Sequence, residues 1–166
     1  MKITIRPNRL TDAKRFYEIL NSPEFKYFGK GPESIKAEEK IIKKMQQQRK
    51  KRIHFTFAIL ADGKIVGGCG VRVSSAPARK HAGEIGYFLD PAFWNKGIAT
   101  KAVKLLEKFA FAKLKLKRIE IVMVTPHKAS ERVAIKAGYE KEATFKKYIH
   151  NRDGKFYDAH VYSKIK

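Results

Sequence analysis

One stretch of this 166-residue chain carries residue types at a spacing that does chemistry: Glu84-Ile85-Gly86-Tyr87-Phe88-Leu89, the breaker Asp90-Pro91, then Trp94-Asn95-Lys96-Gly97-Ile98-Ala99-Thr100. The pattern reads as a strand, a turn and the first turn of a long helix. A helix start exposes unpaired backbone N–H groups and a partial positive charge, which hold an anion without any charged side chain. The small residues Gly97 and Ala99 let a phosphate approach the backbone closely, and Lys96 and Lys101 add positive charge beside it. The chemistry suggested is the binding of a phosphate-bearing ligand. The plainer reading is a strand-to-helix corner whose glycine eases the turn. Other phosphate signatures are absent. There is no Gly-x-x-x-x-Gly-Lys-Ser/Thr run, and Val66-Gly67-Gly68-Cys69-Gly70-Val71 lacks the spacing and helix start of a dinucleotide fingerprint. Cys69, the one cysteine, reads as a small buried hydrophobe rather than a nucleophile. The five histidines, His54, His81, His127, His150 and His160, are scattered, and no Cys/His cluster has metal-ligand spacing. No metal site is expected.

The elements that position this corner follow from periodicity and breakers. Lys2 to Pro7 alternates as a first strand. Thr11 is placed to cap a helix running to about Asn21, with Phe16, Ile19 and Leu20 as its apolar face. The break at Gly29 to Pro32 precedes a second helix opened by Ser34, running through Ile35, Glu38, Ile41, Ile42 and Met45 to the basic run Arg49–Arg52. Ile53 to Ala61 and Lys64 to Val73 read as strands joined by the Asp62-Gly63 turn. Glu84 to Leu89 is the next strand, and Gly97 to Leu114 a long helix with apolar Ile98, Ala102, Leu105, Leu106 and Phe109. Ile119 to Val124 is a buried-type strand, and Ser130 to Ala137 a short helix ending at Gly138. Tyr139 to Ile149 and Lys155 to Ile165 are strands joined by Asn151-Arg152-Asp153-Gly154. A meander followed by strands separated by helices implies one mixed sheet with helices packed on it, an α/β layered domain. A parallel pair must flank the long helix, through a right-handed crossover.

Composition bounds the rest. Hydrophobic residues make up 43% and charged residues 32%, enough for one real core in a chain of single-domain length, so residues 1–166 are read as one domain. No apolar run approaches the roughly 20 residues that cross a bilayer. Met1 to Pro7 has polar interruptions at Lys2, Thr4 and Arg6, unlike a signal peptide. A cytoplasmic protein without membrane attachment is expected. The net charge of +21 attracts phosphate, whether on a nucleotide cofactor, on nucleic acid or on an anionic membrane, and repels polyamines. Equally, it reads as a solvated lysine-rich surface.

The corner resembles the acyl-CoA pyrophosphate loop of the GNAT superfamily of N-acetyltransferases, written Arg/Gln-x-x-Gly-x-Gly/Ala. Here the segment is Trp94-Asn95-Lys96-Gly97-Ile98-Ala99, and tryptophan in the first position is similar to the RimJ/RimL branch. So is Glu84-Ile85-Gly86-Tyr87. Downstream, His127-Lys128-Ala129-Ser130 followed by Ala137-Gly138-Tyr139 resembles that branch's Asn-x-x-Ser and Gly-Phe pair. His127 stands where an asparagine is usual. The order of elements matches across nearly the whole chain.

The resemblance implies a mixed, mostly antiparallel sheet with a central splayed parallel pair, Glu84–Leu89 and Ile119–Val124, flanked by helices. It implies acetyl-CoA as acetyl donor, with the pantetheine arm pairing with backbone near Phe88 and Leu89. The pyrophosphate would rest on Asn95, Lys96, Gly97, Ile98, Ala99 and Thr100, with His127 and Ser130 beside the cofactor. Backbone N–H near Phe88 would stabilise the oxyanion. Glu84 is the candidate base, directly or through water, against a structural strand-end role. The family's usual acid, a tyrosine on the last short helix, is Ala134 here. Ser130 is the candidate donor to sulfur, against a plain helix cap, with Tyr139 and Tyr148 as further tyrosines. Tyr27, Phe28, Tyr148, Tyr157 and Asp158 would shape the acceptor cleft. Asp158 either holds an ammonium or pairs with a lysine. The acceptor implied is a primary amine, leaning to a protein N-terminus such as a ribosomal protein's. The alternatives are a small amine, a silent acyl-CoA sensor, or a ribosome- or RNA-associated module using Lys43, Lys44 and Arg49–Arg52.

Overall fold

The structure, a computed structural model, describes residues 1–25, 27, 30–151 and 153–166. Gly29, Phe28 and Arg152, named above for a break, the acceptor cleft and a turn, lie outside them. The elements run β1 (Ile3–Pro7), α1 (Ala13–Leu20), α2 (Ile35–Lys50), β2 (His54–Ala61), β3 (Lys64–Val73), β4 (Ala82–Leu89), α3 (Ile98–Ala112), β5 (Arg118–Val124), α4 (Lys128–Ala137), β6 (Glu140–His150) and β7 (Phe156–Ile165). They build one seven-stranded sheet in the order β1-β2-β3-β4-β5-β7-β6. All neighbouring strands are antiparallel except β4 and β5, the parallel pair that α3 connects.

Side chains alternate across a strand, and that alternation divides the sheet into two faces. Ile85 and Leu89 of β4, with Ile119, Ile121 and Met123 of β5, join Ile98, Ala102, Val103 and Leu106 of α3 in the main core. On the other face, Phe16 of α1, Ile42 of α2 and Ala58 of β2 form a second cluster that includes Phe88. Two glycines of β3 are explained here. A Cβ at Gly67 would lie 2.1 Å from the Phe88 carbonyl oxygen, and one at Gly68 would lie 2.6 Å from the Phe88 ring. The sequence Gly67-Gly68 therefore permits close approach of β4 and a place for an aromatic ring.

Helix ends corrected the sequence reading in two places. Ser34 caps α2 as expected, accepting the Ala37 N–H at 3.0 Å. Thr11 caps nothing; it lies in a short 3-10 turn, Leu10–Asp12, ahead of α1. No side chain caps α1; the buried Asp12 carboxylate instead closes the preceding turn, accepting the Arg9 N–H at 2.8 Å and two bonds from the Arg6 guanidinium. The second correction is at α4, which starts at Lys128 rather than Ser130, with His127 in the capping position. Ser130 is therefore inside the helix, and the plain-cap reading of it falls. Gly138 closes α4 with φ of 86°, the left-handed region that favours glycine.

Candidate functional site

Parallel pairing of β4 with β5 covers Ala82 with Arg118, Gly83 with Ile119 and Glu84 with Glu120, and stops there. Past Glu84 the strands splay. A cleft of about 810 Å³ opens between them, lined by Tyr87, Phe88 and Leu89 on one side and by Pro126, His127, Ala129 and Ser130 on the other. Its far wall is the corner leading into α3: Asn95, Gly97, Ile98, Ala99 and Thr100. Glu24, Phe25 and Tyr27, from the segment between α1 and α2, complete it. Residues read from separate stretches of sequence thus converge on one space.

The corner is built to leave backbone donors free. Gly97 occupies the capping position of α3 at φ of 72°, and no side chain caps the helix. The first helical bond there runs from the Lys101 N–H to the Gly97 carbonyl at 3.1 Å, so the amides of Ile98, Ala99 and Thr100 precede the ladder. Asn95 also has positive φ, 59°. Left-handed residues on either side of Lys96 turn successive amides inward, as in anion-binding backbone concavities. A phosphate-bearing ligand fits this arrangement. Lys96 differs from expectation: its Nζ donates to the Ala92 carbonyl at 2.9 Å and lies 5.1 Å from the centre of the Phe93 ring. It is folded back on the turn and is not in the cleft wall. Trp94 braces the same corner, its indole N–H donating to the Leu89 carbonyl at 2.9 Å.

That bond, with strand geometry, shifts the expected backbone partners by one residue. Peptide groups of a strand point alternately to its two neighbours. The Phe88 carbonyl points at β3, as its closeness to the Gly67 Cβ position requires. The groups facing the splay are therefore those of Ile85, Tyr87 and Leu89, with the Leu89 carbonyl already taken by Trp94. Phe88 brings only its ring, edge-on to Phe16 at 5.3 Å.

Ser130 is almost fully buried, and its Oγ lies 2.8 Å from the Tyr87 Oη, either group donating. Burial pushes the Tyr87 phenol up to about 12, opposed by its bond to Ser130. Both are neutral hydroxyls at the cleft floor, able to pass a proton outward in sequence. His127 lines the cleft with its ring 5.1 Å from that of Tyr27, and burial lowers its pKa. It is thus a neutral ring near pH 7. Ala134 is fully buried in the core.

Glu84 is not in the cleft wall. It sits where the two strands still pair, across from Arg72 on β3 and Glu120 on β5. Desolvation raises its pKa, with Glu120 adding to the rise and Arg72 opposing it. Tyr139 packs in the main core. Tyr148 is 58% exposed on the β6–β7 hairpin beside Phe145. Neither tyrosine lines the cleft. Asp158 pairs with Lys146 at 3.0 Å and accepts the Lys147 N–H at 2.9 Å, the lysine-paired alternative. Tyr157 donates to Asp153 at 2.6 Å. The sequence reading missed Tyr87 as a site residue, and it missed Arg132 and Lys136, which also line the cleft. The last two stand one helical turn apart on α4, two and six residues after Ser130, a spacing that marks a common face.

The comparisons agree with this geometry. A family model described as an acetyltransferase (GNAT) domain matches residues 2–140. An uncharacterized N-acetyltransferase, YoaA of Bacillus subtilis (strain 168), is 30% identical over 162 residues, covering 93% of this chain and 88% of the relative. A probable N-acetyltransferase of the same organism, YjcK, is 32% identical over 155 residues, covering 89% and 85%. Among solved structures, ribosomal-protein-S5-alanine acetyltransferase from Vibrio fischeri superposes with a TM-score of 0.88 at 24% identity, covering 99% of this chain and 93% of that one. A splayed parallel pair leading to an uncapped helix start, matched over most of its length by that family model, makes this chain a member of the GNAT acetyltransferase family.

Proposed function

We propose that the protein transfers the acetyl group of acetyl-CoA to a primary amine, with an α-amine at a protein N-terminus as the favoured acceptor class. The observation that carries this reading is the cleft that begins where β4 and β5 stop pairing and ends at the bare amides of α3. In it the pyrophosphate rests on the amides of Ile98 to Thr100, with Arg132 and Lys136 supplying positive charge. The pantetheine arm runs along β4 as an added strand. Attack by the neutral amine on the thioester carbonyl forms the new C–N bond. The oxyanion takes an N–H from the Tyr87 or Leu89 peptide. Collapse breaks the C–S bond, and Ser130, backed by the Tyr87 hydroxyl, gives the thiolate its proton. At roughly 3.3 Å per strand residue, Glu84 stands about 10 Å along β4 from Tyr87. We therefore assign it the amine proton through bridging water.

The acceptor class rests on chemistry and on a likeness. An α-amine titrates at about 7.7–8.0, a lysine amine at about 10.4, so the former asks much less of a distant base. The Vibrio fischeri neighbour, by its name, acts on the alanine of ribosomal protein S5. The test is incubation with acetyl-CoA and a panel of N-terminal peptides, lysine peptides and small amines, reading free CoA thiol. The expected result is turnover fastest with peptides bearing a free α-amine. Turnover confined to small amines refutes the acceptor class, and thiol release with none of the panel refutes acetyl transfer to amines.

A further inference from the structure

The pole of the molecule opposite the cleft is where charge concentrates. Residues 43–53, 74–83, 108–119 and 164–166 hold fifteen of the 37 Lys and Arg and none of the 16 Asp and Glu. The fold brings these segments together. The Val73 N–H bonds the Ile53 carbonyl at 2.8 Å, the Lys117 N–H bonds that of His81 at 2.8 Å, and the Lys166 N–H bonds that of Lys117 at 3.0 Å. Among their exposed cations are six, Lys51, Arg52, Lys80, Lys113, Lys115 and Lys117, close to the joined ends of these segments. Among the described residues none of the six makes a side-chain hydrogen bond or an ion pair.

Two further features separate this pole from an ordinary solvated face. Arg52 and Lys115 have left-handed backbones, with φ of 58° and 59°. That conformation is strained for a side-chain-bearing residue and favours glycine or asparagine, yet both positions hold a cation. Between the cations lies a recess of about 490 Å³ whose floor is Phe55, Val73, Leu114 and Leu116. Phe55 is 6% exposed and Leu116 3%, while Ile53 at the rim is 40% exposed. An apolar recess with Lys51, Arg52 and Lys80 in its wall admits a flat ring whose linked phosphates meet the rim. A membrane surface instead calls for apolar side chains that project past the cations.

We infer that this pole binds single-stranded RNA: Lys51, Arg52, Lys80 and Lys115 hold successive phosphates, and one base enters the recess over Phe55. The surface is separate from the acetyl-transfer cleft. Tyr87, the first β4 residue in the cleft wall, lies five residues from Ala82 at the pole, or about 16 Å, so RNA and acetyl-CoA bind together. The inference stands whether or not the proposed acceptor class is right.

The experiment is a fluorescence-anisotropy titration of a labelled 20-nucleotide oligouridine. Four phosphate contacts on a single strand predict about 50-fold weaker binding at 200 mM than at 50 mM salt. Reversing Lys51→Glu, Arg52→Glu, Lys80→Glu and Lys115→Glu together removes most of that salt slope and of the affinity. A control, Lys14→Glu, Lys36→Glu, Lys40→Glu and Lys64→Glu, makes the same change in net charge on exposed residues elsewhere and leaves both nearly intact. The four pole positions changed to Gln give the same result should the Glu variant misfold. Saturating acetyl-CoA leaves RNA affinity unchanged. Equal losses in both charge variants, displacement of RNA by acetyl-CoA, or binding to phosphatidylserine vesicles without binding to RNA each overturn the inference.

Discussion

At the scale of single residues, the open question is which group takes the amine proton, and Glu84 is the assigned one. Its pKa is raised by desolvation and by Glu120, the direction that brings a carboxylate toward the working pH of a base. Glu84→Gln keeps size and hydrogen bonding but accepts no proton. It is expected to lower kcat at neutral pH by the low end of a base's usual ~10²–10⁴-fold contribution, because an α-amine is partly neutral already. Wild-type kcat should fall on the acid side as Glu84 protonates, and the variant should lose that limb and recover as pH rises. A variant with wild-type kcat across the pH range makes Glu84 structural. The same scale shows the limit of sequence. That Ser130 and the glycine corner share one cleft was foreshadowed by motif spacing, while Glu84, named from the same motifs, stands outside the cleft wall. Tyr87 was quoted only as part of a strand motif, since nothing linear brings it within 2.8 Å of Ser130. The direction of the Lys96 side chain was hidden for the converse reason: a lysine near a phosphate loop in sequence finds a nearer acceptor in its own turn.

At the scale of elements, the sequence was clearest where one local force dominates. The Asp62-Gly63 turn placed β3 at Lys64–Val73, and a capping side chain placed Ser34 at the start of α2, as observed. It was least clear where a distant partner decides. Thr11 is displaced from the start of α1 by a 3-10 turn that the Asp12 carboxylate closes through the Arg9 N–H and the Arg6 guanidinium. The start of α3 is the element on which ligand binding turns. Thr100→Glu puts a carboxylate on its third residue, where it satisfies bare amides and complements the helix dipole by about 0.3–1 kcal/mol. The same carboxylate occupies the proposed pyrophosphate seat. In the wild type, acetyl-CoA at about 100 times Kd should stabilise by roughly 2.7 kcal/mol, or about 5–11 °C at this length. The variant should melt slightly higher alone and show no acetyl-CoA shift. A full shift in the variant relocates the pyrophosphate.

At the scale of the whole molecule, pH acts on stability through groups of opposite sign. Glu38, in the first turn of α2 one turn before Ile42, is 4% exposed, and desolvation alone raises its pKa to about 7. Its folded-state pKa thus exceeds the unfolded value, so the folded protein holds this proton longer, and stability is lost as pH rises through about 4.5 to 7. His54 works against it. Burial lowers that imidazole to about 4, so its contribution grows as pH rises toward 6.5. Carboxylates with lowered values, such as Glu142 at about 2, change only in more acid solution. The wild-type curve mixes these signs, but the difference between wild type and Glu38→Gln isolates one of them. Gln is neutral at every pH and nearly the same shape. It should stabilise the fold by under about 1 kcal/mol at pH 5 and by up to about 3 kcal/mol at pH 8, where the buried carboxylate is charged. Denaturant melts of both proteins at the two pH values give the comparison. An equal difference at pH 5 and pH 8 would mean that Glu38 ionises normally, with water or a counter-charge reaching it inside the α1–α2 seam.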